Sequence, residues 1–255
     1  MRIVCLSDTH TMGAQIAVPD GDVLVHAGDH TFRGTEDEVR EAMLWLESLP
    51  HPRKILVAGN HDFLFDERFE NGHHFRSWKI ERSSSIEAFL LQFPSLMYLQ
   101  DSGMVIEGVK FFGSPWQTEF GGWAFNFPRL PNGEHDREAA AATWAKIPTD
   151  TNVLITHSPP NGILDFEPGY GTLENLGCPE LRKRLDSLPD LRLHVFGHLH
   201  HSYGRLDYEA KDGAKLTFVN AAINTRDYEP LNAPIIVDVT LPVTPTSVTS
   251  PEGVR

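Results

Sequence analysis

Five short stretches of this 255-residue chain end in side chains that bind metal ions. They are Asp8-Thr9-His10, Gly28-Asp29, Gly59-Asn60-His61-Asp62, Thr156-His157 and Gly197-His198-Leu199-His200. Aspartate, asparagine and histidine together offer carboxylate, amide and imidazole ligands, a mixture that suits Mn, Fe, Zn and similar borderline ions. Taken singly, each motif is weak, because Asp8 or Asp29 alone could cap a turn by bonding nearby amides. Taken together, they fit a two-metal hydrolytic site better than any other chemistry.

Each stretch follows a short apolar run: Ile3-Val4-Cys5-Leu6, Val23-Leu24-Val25, Ile55-Leu56-Val57, Val153-Leu154-Ile155 and Leu193-His194-Val195-Phe196. Short runs rich in Val and Ile read as buried strands. Ligand sites of open α/β sheets form beyond the carboxyl ends of strands, so five strands would deliver these side chains to one edge. Alternate residues of an extended segment share a face, which would turn His198 and His200 the same way. Thr35 through Leu49 reads as a helix, with a Thr35/Glu38 capping box and an apolar face of Val39, Met43 and Leu46. Further helices are expected over 86–93, 136–147 and 179–188. A hairpin is expected around Glu107-Gly108, and strands over 215–219 and 234–239. Asp66 to Ser85 reads as a polar, irregular surface excursion, and Gln117 to His135 as a long loop of the kind that tends to be functional. The element order implies two mixed sheets packed together with helices outside.

The order and spacing of the five motifs resemble the calcineurin-like metallophosphoesterase superfamily, from about Ile3 to Asn220. A narrower resemblance is to the brain-expressed metallophosphoesterase-domain proteins and their microbial relatives. It rests on Gly113-Ser114-Pro115-Trp116, Phe125-Asn126-Phe127-Pro128, Thr156-His157-Ser158-Pro159-Pro160 and Val219-Asn220-Ala221. The resemblance implies a four-layer α/β/β/α sandwich of two mixed sheets flanked by helices. It also implies two divalent ions (Mn, Fe, Zn or Mg, with Mn favoured). Asp8, His10, Asp29 and His200 would hold one; Asp29, Asn60, His157 and His198 would hold the other. His61 would face the leaving oxygen, with Asp62 orienting its ring. Two ions about 3.5–4 Å apart clamp a phosphoryl group and activate a shared water, while a histidine acid assists the leaving alkoxide. His30 stands where the narrower group carries an apolar residue. It is either a contact near the metals or substrate, or a solvated loop histidine. In some mammalian relatives glycine stands at the position of His198, which weakens the second site; here the histidine is present.

Other residues carry two readings. Trp116, Trp123, Phe125 and Phe127 could stack a substrate base or pack the loop's own core. Asn126 could contact substrate or hold the loop. Asn220 would bond a ligand histidine or the backbone nearby. His26 and His194 read as core histidines, and His73 and His74 as solvated. The leading activity is hydrolysis of small phosphodiesters, with cyclic nucleotides as candidates. A phosphomonoesterase or protein phosphatase is the alternative, and a non-catalytic scaffold on the same fold is the third reading.

Composition bounds the rest. A net charge of −13 and no clustered basic surface argue against a nucleic-acid polymer as partner. Two cysteines, one inside the first strand, indicate a reduced, cytoplasmic protein. No stretch is long enough to cross a bilayer, and the first strand leaves no room for a signal peptide. One domain over 1–240 is expected, as a monomer or homodimer. The Pro/Thr/Ser-rich tail, 241–255, is expected to be poorly ordered.

Overall fold

The computed structural model describes residues 1–69, 73–75, 78–166, 168, 175–209 and 215–240. The 241–255 tail lies outside them. Strands and helices are numbered in chain order. One sheet runs β13 (Ile235–Asp238), β1 (Arg2–Leu6), β2 (Val23–His26), β3 (Arg53–Leu56), β6 (Leu96–Tyr98). The other runs β11 (Gly204–Glu209), β12 (Lys215–Asn220), β10 (Leu193–Phe196), β9 (Val153–Thr156), β8 (Val109–Ser114), β7 (Ser102–Ile106). In the first sheet β1, β2, β3 and β6 are parallel and β13 is antiparallel; in the second, β11 and β7 are the antiparallel edges.

The central strands are covered on both faces, which is why they read as unbroken apolar runs. Ile3 and Cys5 of β1 face inward, with Val23, Val25 and Ile55, onto Val153, Ile155, Leu193 and Val195 of the other sheet. Val4 and Leu6 face the opposite way, onto Val39, Met43 and Leu46 of α1 (Glu36–Ser48). On the far side Leu154 and Phe196 pack under α3 (Arg137–Trp144) and α4 (Pro179–Leu185). The result is helix, sheet, sheet, helix, as expected. Both cysteines are free and buried.

The helix starts hold, while α2 (Ile86–Leu90), α3 and α4 end at Leu90, Trp144 and Leu185, short of the expected 93, 147 and 188. Thr35 caps α1 by accepting the Glu38 amide, while the Glu38 carboxylate reaches back to the Gly34 amide at 3.1 Å rather than to Thr35. Ser85 caps α2 and Asp136 caps α3. The hairpin turns at Glu107 and Gly108, with φ of 49° and 82°, the left-handed pair that a two-residue hairpin loop requires. Three segments differ from expectation: β6 extends the first sheet as a parallel neighbour of β3 where no strand was expected. β11 pairs along the edge of the second sheet where no strand was expected; it is exposed almost throughout, so no apolar pattern marks it. The described part of 66–85 is not simply irregular. A two-stranded hairpin, β4 (His73–Phe75) and β5 (Trp78–Ile80), buries Phe75 and Ile80 against the α1 side of the first sheet.

Candidate metal centre

All five motifs lie just past the carboxyl ends of β1, β2, β3, β9 and β10. The loops cross-brace one another: the Asp8 amide donates to Gly28 O, the His10 amide to Asp29 O, and the Gly197 amide to His157 O. The His61 amide donates to Asp29 Oδ1 at 2.8 Å, and the His198 amide meets both Asp8 carboxylate oxygens at 3.0 and 3.1 Å. Close approach demands glycine at two points. A Cβ on Gly59 would overlap Asp29 Oδ1, and one on Gly197 would overlap Asp8 Oδ2. Asp8, His10, Asp29 and His198 all have positive φ, of 55°, 42°, 55° and 69°, strain of the kind that collects at functional sites.

Three of the expected ligand imidazoles are fixed by backbone carbonyls. His10 Nδ1 faces Thr31 O at 3.0 Å, His157 Nδ1 faces Ala27 O at 2.9 Å, and His200 Nδ1 faces Thr225 O at 2.9 Å. A carbonyl only accepts, so each Nδ1 carries a proton, and in the neutral ring each Nε2 presents a lone pair. Those lone pairs point at other acceptors. His10 Nε2 and His200 Nε2 are 3.4 Å apart. Asp8 Oδ1 lies 3.3 Å from His200 Nε2, and Asp29 Oδ2 lies 3.8 Å from His10 Nε2. His157 Nε2 faces Asn60 Oδ1 at 2.9 Å and Asp29 Oδ2 at 3.5 Å, and His198 Nδ1 meets the same Asn60 oxygen at 2.8 Å. Lone pair against lone pair in a buried space is repulsive unless a cation or a proton lies between. The donor set therefore fits two cations, with Asp29 reaching toward both groups.

Protonation follows the same logic. Burial opposes the charge on Asp8, but the hydrogen bond and charge of His200 outweigh it and hold the carboxyl below its usual range. Asp29 is likewise held low, against burial, by His157 and His61. Burial alone would lower His157, yet the Asp29 charge and hydrogen bond push it up to about 9. Burial brings His10 down to about 4, with help from His61, and His198 down to about 3. A proton thus takes the place of a cation at the best anionic positions.

Several expected roles change. Asp62 does not orient His61. Its carboxylate accepts from His30 Nδ1 at 2.9 Å, from the His30, Thr31 and Gly59 amides and from the Thr31 hydroxyl, while His61 Nδ1 donates to Phe32 O at 2.6 Å. His30 is neither a solvated loop residue nor a substrate contact: it is buried, stacked on His26 at 4.1 Å and held by Asp62. Trp116 does not line the cavity. Its Nε1 donates to Asp101 Oδ2 at 3.0 Å and its ring stacks on Phe127. Asn126 also holds the loop, accepting from Gln117 Nε2 at 2.9 Å and donating to Phe120 O at 3.2 Å. Nor do His198 and His200 share a face by strand alternation. His198 is left-handed and His200 opens a 3-10 turn, so a bend brings both inward.

The remaining expected residues fall as follows. His26 and His194 are buried, bonded through Nε2 to Thr9 and Thr156. Asn220 donates to Leu199 O, between the two motif histidines. Oxygen or nitrogen ligand atoms of Asp8, His10 and His200, of Asp8, Asp29 and His157, and of His10, Asp29 and His61 each gather within 4.8 Å.

A cavity of about 610 Å³ opens over Asp29, Asn60, His61, His198 and His200. Its outer wall brings residues the motifs did not name: Phe120, Trp123, Arg129, Arg226 and Tyr228. The Tyr228 ring lies 5.0 Å from His10 and 5.5 Å from His200. The signal for Tyr228 was its place past the end of β12, a sixth strand end at the same edge.

Comparison with known proteins agrees with this picture. The family model described as calcineurin-like phosphoesterase matches residues 1–202. The chain is 40% identical over 247 residues to metallophosphoesterase domain-containing protein 1 of Homo sapiens and of Mus musculus, covering 94% of this chain and 72% of each relative. A solved structure 14% identical superposes with a TM-score of 0.52 over 86% of this chain and 89% of that one, a likeness of fold alone.

Proposed function

Because the chain belongs to the calcineurin-like phosphoesterase family, we propose that it hydrolyses small phosphodiesters at a two-cation centre, with cyclic nucleotides among the candidate substrates. The observation that carries this reading is the convergence of bare acceptor atoms, His10 and His200 Nε2 at 3.4 Å above all. Asp8, His10, Asp29 and His200 would hold one cation, and Asp29, Asn60, His157 and His198 the other. The mixed ligands suit manganese, iron or zinc without choosing among them; manganese, the ion the family resemblance favours, is the one proposed. Bound cations would offset charge on the phosphoryl oxygens and lower the pKa of water.

The chain's own residues do the rest. His61 stands at the cavity floor with Nδ1 committed to Phe32 O, so Nε2 is the nitrogen available to protonate the leaving oxygen. Asp62 holds the Gly59, His30 and Thr31 backbone in place and thereby fixes the loop that carries Asn60 and His61. A cavity of about 610 Å³ suits a small molecule. Thr118, Glu119, Phe120, Trp123, Arg129 and His135 wall it, which supports a small substrate over the broad groove that a phosphoprotein needs. Among the described residues no helix is long and apolar enough to cross a membrane. The test is to load the pure protein with Mn²⁺ and compare artificial phosphodiesters, phosphomonoesters and cyclic nucleotides. Diester turnover is expected; turnover of monoesters alone rejects the diesterase reading.

A further inference from the structure

His61 has one hydrogen bond to hold its ring, and one bond leaves a ring free to swing about it. A second support lies on its face. The Trp123 ring lies in close, tilted contact with the His61 ring, centroids 4.1 Å apart at 32°, while His10 meets His61 edge-on at 4.7 Å. Trp123 is itself held. It is buried, packed on Phe75 at 4.5 Å and on Phe63 at 5.7 Å. Its neighbours clip the loop to the His61 segment: the Ala124 amide donates to Asn60 O at 3.2 Å, and the Phe125 amide to Asp66 Oδ2 at 2.7 Å. Trp123 also lines the cavity.

We infer that Trp123 is a positioning residue for His61, fixing the imidazole plane so that Nε2 stays aimed at the leaving oxygen. The inference rests on the leaving-group role given to His61 above. In that step water adds its oxygen to phosphorus and the bond from phosphorus to the leaving oxygen breaks with its electron pair on that oxygen. The proton on His61 Nε2 moves to the same oxygen, and the proton released by water recharges His61 through solvent. An alkoxide needs that proton, whereas p-nitrophenolate departs without it. Misplacing His61 by even an ångström therefore penalises alkyl esters selectively.

The test uses the full chain loaded with Mn²⁺ and two phosphodiesters, one with an ethyl and one with a p-nitrophenyl leaving group. In Trp123→Leu the ratio of kcat for the ethyl ester to kcat for the p-nitrophenyl ester should fall about 10- to 100-fold. Trp123→Phe, which keeps an aromatic face and is the gentler change, should restore most of the ratio. In a His61→Ala background, Trp123→Leu should shift the ratio no further. Independently of turnover, the His61 Cε1 proton of the metal-free protein should resonate upfield under the indole ring current and move downfield in Trp123→Leu. If Trp123→Leu treats both esters alike while His61→Ala does not, or if the His61 resonance stays put, the inference about Trp123 is overturned. If His61→Ala itself treats both esters alike, the leaving-group role of His61 falls instead.

Discussion

The strand-end loops and the aromatic loop over 117–135 both bury polar groups, and they do so in opposite ways. In the aromatic loop every pairing is donor to acceptor: Asn126 Oδ1 takes the Gln117 amide, its Nδ2 serves Phe120 O, and the Phe125 amide finds Asp66. At the strand ends, acceptors face acceptors, as at His10 and His200 or at Asn60 and His157. A network of matched donors and acceptors, which here leaves only Gln117 Oε1 without a partner among the described atoms of that loop, stabilises a loop, whereas one closed only by an added cation is a binding site.

The sharpest break between the regions is functional. Asp29→Ala should lower turnover about a thousandfold or more, since that carboxylate approaches both ligand groups. Asn126→Ala should leave turnover within about tenfold while lowering stability by about 1–3 kcal/mol, because the Gln117 amide keeps Ala124 O but loses its other buried acceptor. Steady-state kinetics and urea unfolding of the two variants decide the matter; an inactive but fully stable Asn126→Ala would move Asn126 into the site. Next in size, His61→Ala should cost about 10²- to 10⁴-fold in kcat with metal content retained. A parallel loss of metal would make His61 a ligand, which its distance to His10 and Asp29 permits. Third, Mn²⁺ at a hundred times its Kd should stabilise the wild type by about 2.7 kcal/mol, and Asn126→Ala by the same increment. Asp29→Ala should gain little, and a thermal shift series reads all three.

The smallest effect concerns a histidine outside both regions. Burial lowers His194 to about 3, against an unfolded value near 6.5. Between those values the unfolded chain holds the extra proton, so stability is full above pH 6.5 and falls as pH drops toward 3. Replacing His194 with Gln should flatten that limb of the acid-unfolding curve. An unchanged pH dependence would contradict the assignment.

Much of the centre was legible because parallel strands buried on both faces leave unmistakable apolar runs, and the ligand residues follow them directly. The geometry behind His198 and His200 was not, since a positive φ and a 3-10 turn replaced strand alternation. Nor could the sequence assign Asp62 to His30 over its neighbour His61; the choice depends on how two distant loops dock. The carbonyls of Ala27, Thr31, Phe32 and Thr225 that fix the imidazoles carry no residue-type signal at all. Trp116 and Asn126 were misplaced because composition shows that a loop is aromatic and polar without showing which faces turn inward.

The central claim is that two cations close the acceptor network. Equilibrium dialysis of the metal-free protein against Mn²⁺, followed by elemental analysis, tests it directly. Two ions per wild-type chain and less than one per Asp29→Ala chain are expected. A wild type that takes up none, or an Asp29→Ala protein that still holds two, would contradict the account.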